Sequence, residues 1–480
     1  MSSVDERPTP VTERRGLARS GAGYVVMVAV PVVLAIVLLR TGTAGHGATR
    51  IGSRTAPPDP VPKLLFALPL IFLVCRLLSS AAHKLAQPAV IGEIIAGVLL
   101  GPSFLGLVWP AAYAWIFPTY LASTINTLAQ VGLVLFMFLV GYELDVELVR
   151  RRTRAAVLVS HASIAVPFLS GIVLAFVLYD SLGGGASRLP FALFLAVSMS
   201  ITAFPVLARI ITDRKMSKQP IAALALSCAA IDDITAWCLL ALVIAIANAT
   251  SMVATVRTVV LTVVFFGVMV FLVRPLLRRL FAPRGDGQRA LPEHAVLAVL
   301  LAGLLLAALA TNDIGIHPMF GAFVFGAITP RGSLPVNRAT TQMHGLTTTL
   351  LLPLFFVYTG LNTRFGLLGD NWALWGWCAL IVVVAMVGKW GGSLIAARLS
   401  GIDRYDSWSV GALMNCRGLT ELVVLNIGLS LRIISPTVFT MLVIMTLVTT
   451  VATSPVLSAI ERRRARTAVV ATPMPAPASN

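Results

Sequence analysis

Asp232 and Asp233 stand side by side in a stretch that is otherwise apolar from Ile221 to Asn248. One charge at the centre of a membrane helix costs roughly 2.5–3.5 kcal/mol on insertion scales. Two adjacent carboxylates there must face water, a cation or a basic partner. A third charge answers them. Lys389, in Val387-Gly-Lys389-Trp-Gly-Gly392, lies about ten residues, roughly 15 Å at helical rise, from the end of its apolar run at Arg398. That is too deep for easy snorkelling, so the lysine needs an anionic partner, and the aspartate pair is depth-matched. Neighbouring helix positions point about 100° apart. One carboxylate can therefore pair with Lys389 while the other faces a water-filled cleft. Burial disfavours a charged carboxylate and a nearby cation favours it, so such a group can exchange a proton for a metal cation near neutral pH. A hard monovalent cation wants oxygen ligands, which a carboxylate, water and freed backbone carbonyls can supply.

Carbonyls are freed where helices break, and two apolar runs carry breaks. The first is Ser198-Met-Ser200-Ile-Thr202-Ala203-Phe204-Pro205, where proline removes a backbone donor and clashes with the preceding turn. The second is Met414-Asn415-Cys-Arg417-Gly418-Leu-Thr420-Glu421, a polar cluster with a helix-weakening glycine. Arg417 and Glu421, four apart, share a helix face and can pair. Glu93 also lies within a span, as a candidate for gating or lining a funnel. Glu143 and Asp145 sit at a helix end beside four arginines, where a surface pair is expected. His317 falls near a helix start and is assigned no role.

The elements that position these residues are membrane helices. Of 480 residues, 57% are hydrophobic and 12% charged, and apolar runs of eighteen or more residues recur. This is the pattern of an all-α polytopic membrane protein; a β-barrel would show short alternating segments instead. Spans are predicted near 23–40, 63–80, 88–104, 124–141, 155–179, 189–212, 220–247, 255–280, 294–311, 313–330, 344–361, 371–398, 405–430 and 434–458. The tightest turn is expected around Asn312-Asp313. With the N-terminus inside, cytoplasmic segments hold 21 Lys and Arg and the opposite side holds 5, which supports about fourteen helices with both ends cytoplasmic. Residues 1–22 and the basic tail 459–480 are expected to be disordered. The span at 23–40 is read as an uncleaved extra helix, not a signal peptide. The net charge of +17 sits in short loops, where it sets topology, so nucleic acid is not an expected partner. Five cysteines inside or beside apolar spans give no disulfide framework and no metal spacing, and read as small core residues. No cofactor is expected, and no nucleotide-sensing module is expected after Ala459, where no strand–Gly-rich-turn–helix pattern is read.

The two breaks lie in the sixth and thirteenth spans. That separation is odd, so the two halves enter the membrane with opposite polarity. Each broken helix is the middle of a triple, 155–247 and 371–458. This is the arrangement of an inverted repeat with two crossing discontinuous helices, and transporter sites lie at such interfaces.

In combination these residues resemble the monovalent cation:proton antiporters, and specifically their second large group, which holds bacterial sodium/proton antiporters and plant cation/proton exchangers. The likeness rests on Ile231-Asp-Asp-Ile-Thr-Ala-Trp237, the Thr202–Pro205 break and Lys389. It rests also on Gln87-Pro-Ala-Val-Ile-Gly-Glu93 through Ser103, on Phe138 to Asp145, and on Asn415 to Leu422. It runs from about residue 63 to 458. The resemblance implies a homodimer in the cell membrane, with a core domain carrying the ion by an elevator-like motion. It implies that Asp233 binds Na⁺ or K⁺ and the proton, that Asp232 pairs with Lys389, and that Asp232 and Thr202 of the first crossing break belong to the ion- and proton-binding set. It further implies electrogenic exchange with Na⁺ favoured. No enzymatic activity is expected. A passive cation channel and a proton-coupled carrier of organic solutes are the competing readings. An intramembrane aspartyl protease is disfavoured, because adjacent residues on one helix cannot share a proton across a cleft.

Overall fold

The computed structural model describes residues 59–85, 87–143, 154–216, 218–248, 252–281 and 292–470. The expected helix at 23–40, the leader before it and Asp145 lie outside these residues. In chain order the helices are α1 (Val61–Lys84), α2 (Ala89–Leu100), α3 (Leu105–Val108), α4 (Pro110–Ile116) and α5 (Thr119–Glu143). The first triple follows: α6 (Arg154–Leu182), the broken pair α7 (Arg188–Ser200) and α8 (Phe204–Asp213), and α9 (Pro220–Asn248). Next come α10 (Met252–Val268), α11 (Arg274–Phe281), α12 (Glu293–Ile314), α13 (Pro318–Ile328), α14 (Leu334–Leu346) and α15 (Leu352–Asn362). The second triple is α16 (Trp372–Met386) running into α17 (Gly392–Leu399), the broken pair α18 (Arg404–Met414) and α19 (Leu419–Ser430), and α20 (Pro436–Val470).

Among the described residues twelve helices are long and apolar enough to cross a membrane, and α13 is a shorter apolar helix. Helices lie on all the expected spans from 63 onward, the one at 313–330 only as the short α13, because in lipid a segment must satisfy its own backbone and a helix does so. The helices around the triples approach closely through glycines. A Cβ on Gly97 of α2 would strike the Phe356 carbonyl of α15, and one on Gly326 of α13 would strike the Phe138 carbonyl of α5. Small residues at such crossings let backbones pack where lipid gives no hydrophobic drive.

The inverted repeat is visible in the helix ends. After α8, Lys215 takes φ +57° and the Met216 amide bonds to the Ile211 carbonyl at 2.9 Å. After α19, Arg432 takes φ +56° and the Ile433 amide bonds to the Gly428 carbonyl at 2.9 Å. Both are left-handed caps of the kind glycine usually makes. Here each carries a basic residue at the negative end of a helix.

Three expectations are corrected. The α12–α13 turn falls at Gly315-Ile316-His317, not Asn312-Asp313; Gly315 at φ +99° closes α12 and Pro318 opens α13. The tail is helical to Val470. Its Glu-Arg-Arg-Arg-Ala-Arg run is made of good helix formers, and it is tied down by Arg464 to Asp406 at 2.6 Å, Glu461 to Arg214 at 2.8 Å and Thr467 to Tyr405 at 2.7 Å. Cys238 faces outward, whereas the other four cysteines are buried.

Candidate cation site at the helix crossing

The first break follows from Pro205. A continuous helix would press its ring against the carbonyl of Ile201 and ask it for a donor it lacks. The chain instead extends through Ile201 (ψ 135°) and Ala203 (ψ 94°), and Pro205 sits in the first turn of α8. At the second break Gly418 is extended, and a Cβ there would lie 2.6 Å from Val206 Cγ2. Glycine thus lets the breaks cross. They are joined directly: the Ala203 amide donates to the Cys416 carbonyl at 3.2 Å, and the Thr202 hydroxyl lies 3.3 Å from the Met414 carbonyl.

A helix that stops inside the membrane leaves its last carbonyls unpaired, at the negative end of its dipole. Two cations from the second triple cover those of α7. Arg417 Nη1 donates to the Ser198 carbonyl and Nη2 to the Met199 carbonyl, each at 2.6 Å, while Nη1 also meets Glu421 Oε2 at 2.9 Å. Lys389 Nζ donates to the Ser200 carbonyl at 2.5 Å, to the Ser163 carbonyl at 2.9 Å and to Asp232 Oδ2 at 3.0 Å. The ammonium's three donors are then all used. Lys389 reaches this position from a wide helical turn, Val387–Gly391, a distortion common at functional sites. The flanking Gly388 and Gly392 bring it against α6, where added Cβ atoms would meet Ser170 Oγ at 2.9 Å and Val166 Cβ at 2.9 Å.

The adjacent aspartates have opposite surroundings. Asp232 takes hydroxyls from Ser160 at 2.9 Å, Ser163 at 2.6 Å and Thr202 at 2.9 Å, in addition to Lys389. Asp233 is equally buried, yet neither of its oxygens has a hydrogen-bond partner. The Phe204 amide, first in α8, lies beside it outside hydrogen-bonding geometry. Buried polar atoms are almost always paired, and this carboxylate, at a double helix break, is not.

The lysine pairing and the Arg417–Glu421 pair appear as the sequence predicts. Thr202, expected in the ion-binding set, donates its hydroxyl to Asp232. Glu93 is half-buried on α2 with Ser79 Oγ 3.5 Å away, so it stands apart from the aspartate network. Glu143 is exposed at the end of α5, and arginines 150–152 lie outside the described residues. His317 accepts from the Met319 amide at 3.5 Å as the cap of α13. The sequence reading missed Ser160 and Ser163. Their spacing of three, on one face of an apolar helix, is the signal that could have found them.

The family described as "Sodium/hydrogen exchanger, transmembrane" matches residues 69–460. The chain belongs to that family. A Na⁺/H⁺ antiporter, NhaS4, of Synechocystis is 42% identical over 388 residues, covering 80% of this chain and 94% of the relative. Cation/H⁺ antiporter 17 of Arabidopsis thaliana is 37% identical, covering 83% of this chain and 48% of its own length. K⁺/H⁺ antiporter 1 of Saccharomyces cerevisiae is 34% identical, covering 83% of this chain and 46% of its own length. The chain thus spans about half the length of the plant and yeast relatives. The exchanger fold is seen in the sodium proton antiporter MjNhaP1 of Methanocaldococcus jannaschii, with a TM-score of 0.58 at 15% identity, covering 84% of this chain and 96% of that one.

Proposed function

We propose that the protein is a secondary antiporter that exchanges a monovalent cation for protons, with both competing for Asp233. The observation that carries this reading is the contrast between the two aspartates. Asp232 is held by three hydroxyls and a lysine, and Asp233 is buried with both oxygens unpaired. A bare carboxylate in that setting is costly. Either a proton or a cation relieves the cost, and binding one displaces the other. Na⁺ is the favoured cation and K⁺ the second, in keeping with relatives named for each. The cation moves by alternating access, with the crossing helices carrying Asp233 between the two sides. The protein works as a homodimer in the cell membrane with both termini cytoplasmic. Electrogenic exchange, which the family resemblance implies, requires the Asp232–Lys389 pair to part during the cycle.

Proton movement in proteoliposomes on addition of Na⁺, K⁺ or Li⁺, with membrane potential clamped or free, tests the reading. Cation-triggered proton flux is expected, and its response to potential reports whether net charge moves. Cation flux without obligatory proton counter-flux would replace the antiporter by a channel.

A further inference from the structure

Among the described residues, several buried oxygens without partners lie in or beside the two breaks, Ser198 Oγ and Glu421 Oε1 among them. Besides Asp233, the crossing holds Asn415, whose side chain is 2% exposed and whose Oδ1 has no hydrogen-bond partner. Its place in the chain ties it to the aspartates. The residue before it, Met414, offers its carbonyl to the Thr202 hydroxyl, which bonds to Asp232. The residue after it, Cys416, takes the Ala203 amide, and the next residue, Phe204, has its amide beside Asp233. Asn415 is thus held between two contacts that pin the second break onto the first.

A buried amide oxygen without a donor costs about 1–3 kcal/mol, and hydrophobic residues of similar size would remove that cost. Arg417, two positions on, uses its two terminal nitrogens on two carbonyls and a carboxylate, while its Nε and Glu421 Oε1 have no partner. A neutral amide oxygen is, in contrast, a good ligand for a hard cation and a poor one for a proton. It adds a ligand for the cation without adding a second site that a proton can occupy.

We infer that Asn415 supplies a neutral oxygen ligand to the transported cation alongside Asp233, and that its reach helps set the choice between Na⁺ and K⁺. This rests on the exchange reading above. Asp233 then decides that a cation or a proton is bound, and Asn415 acts on the cation arm alone. Losing it weakens cation binding without removing the group that carries the proton.

The test uses the full chain in proteoliposomes, with proton flux triggered by Na⁺ or K⁺ at fixed pH. Asn415→Ala is expected to raise the apparent KM for the preferred cation about tenfold, as loss of one ligand to a charge would, with maximal rate within about twofold. Asn415→Ser, which keeps an oxygen on a shorter stem, is expected to recover part of the affinity and to change the Na⁺ to K⁺ preference. Cation-dependent thermal stabilisation of purified wild type and Asn415→Ala gives a binding readout without turnover, and the variant should need about tenfold more cation for the same shift. If Asn415→Ala fails to fold, Asn415→Ser carries the same comparison through its ion preference. Unchanged KM, unchanged stabilisation and an unchanged Na⁺ to K⁺ ratio would overturn the assignment while leaving the antiporter reading in place. Absence of cation-triggered proton flux from the wild type would instead remove that reading, and this inference with it.

Discussion

The two triples share a backbone plan and differ in charge. The first supplies acceptors: Asp232, Asp233 and the carbonyls of Ser198, Met199 and Ser200. The second supplies donors: Lys389 and Arg417, with Glu421 beside Arg417. Each break alone would leave helix ends unsatisfied in a medium that offers no water. Crossed, the cations of one triple cover the carbonyls of the other. The proposed cation site lies where this complementarity is left incomplete, at Asp233.

The largest effect is expected at that incomplete point. Asp233→Asn removes the charge that both ligands need, and cation-triggered proton flux should fall to the level of empty liposomes while the melting temperature is kept. Lys389→Ala breaks the complementarity elsewhere. It strands Asp232 and the Ser163 and Ser200 carbonyls, and removing one member of a buried pair costs about 3–5 kcal/mol. Thermal melting in detergent should show it, and adding Asp232→Asn should return part of the loss, because the stranded charge goes too. Arg417→Lys comes next. A lysine cannot span two carbonyls and Glu421 from one planar group, so about 1–3 kcal/mol should be lost for a carbonyl left bare, again by melting. The smallest effect belongs to the tail. Arg464→Ala breaks a pair whose side chains are 58% and 32% exposed, worth about 0–1 kcal/mol. Melting should barely move, while amide exchange over 459–470 should quicken.

These residues were not equally legible in the sequence. The spans from 63 onward were, because lipid enforces both apolarity and length. Both breaks were, through Pro205 and Gly418, and Lys389 found its partner by depth alone. The division between the aspartates was only half legible. Spacing dictates that they face different ways, but which one meets the lysine depends on the rotation of α9, so composition cannot say it. That the Thr202 hydroxyl bonds to Asp232 depends on the same rotation. Ser160 and Ser163 were hidden because serines in membrane helices commonly bond to their own backbone, as Ser170 and Ser227 do here. The helical tail beyond Ala459 was missed because its staples to Arg214, at the end of α8, and to Tyr405 and Asp406, in the first turn of α18, come from far along the chain. Hydropathy carries no record of such contacts.

The most direct measurement is the apparent KM for the preferred cation as a function of pH, in proteoliposomes of known orientation. If a cation and one proton compete for Asp233, apparent KM on the acid side should rise about tenfold for each unit fall in pH, by linkage to a single proton. Maximal rate at saturating cation should persist. An apparent KM that stays flat across that range would contradict the account, because cation and proton would then not be sharing one carboxylate.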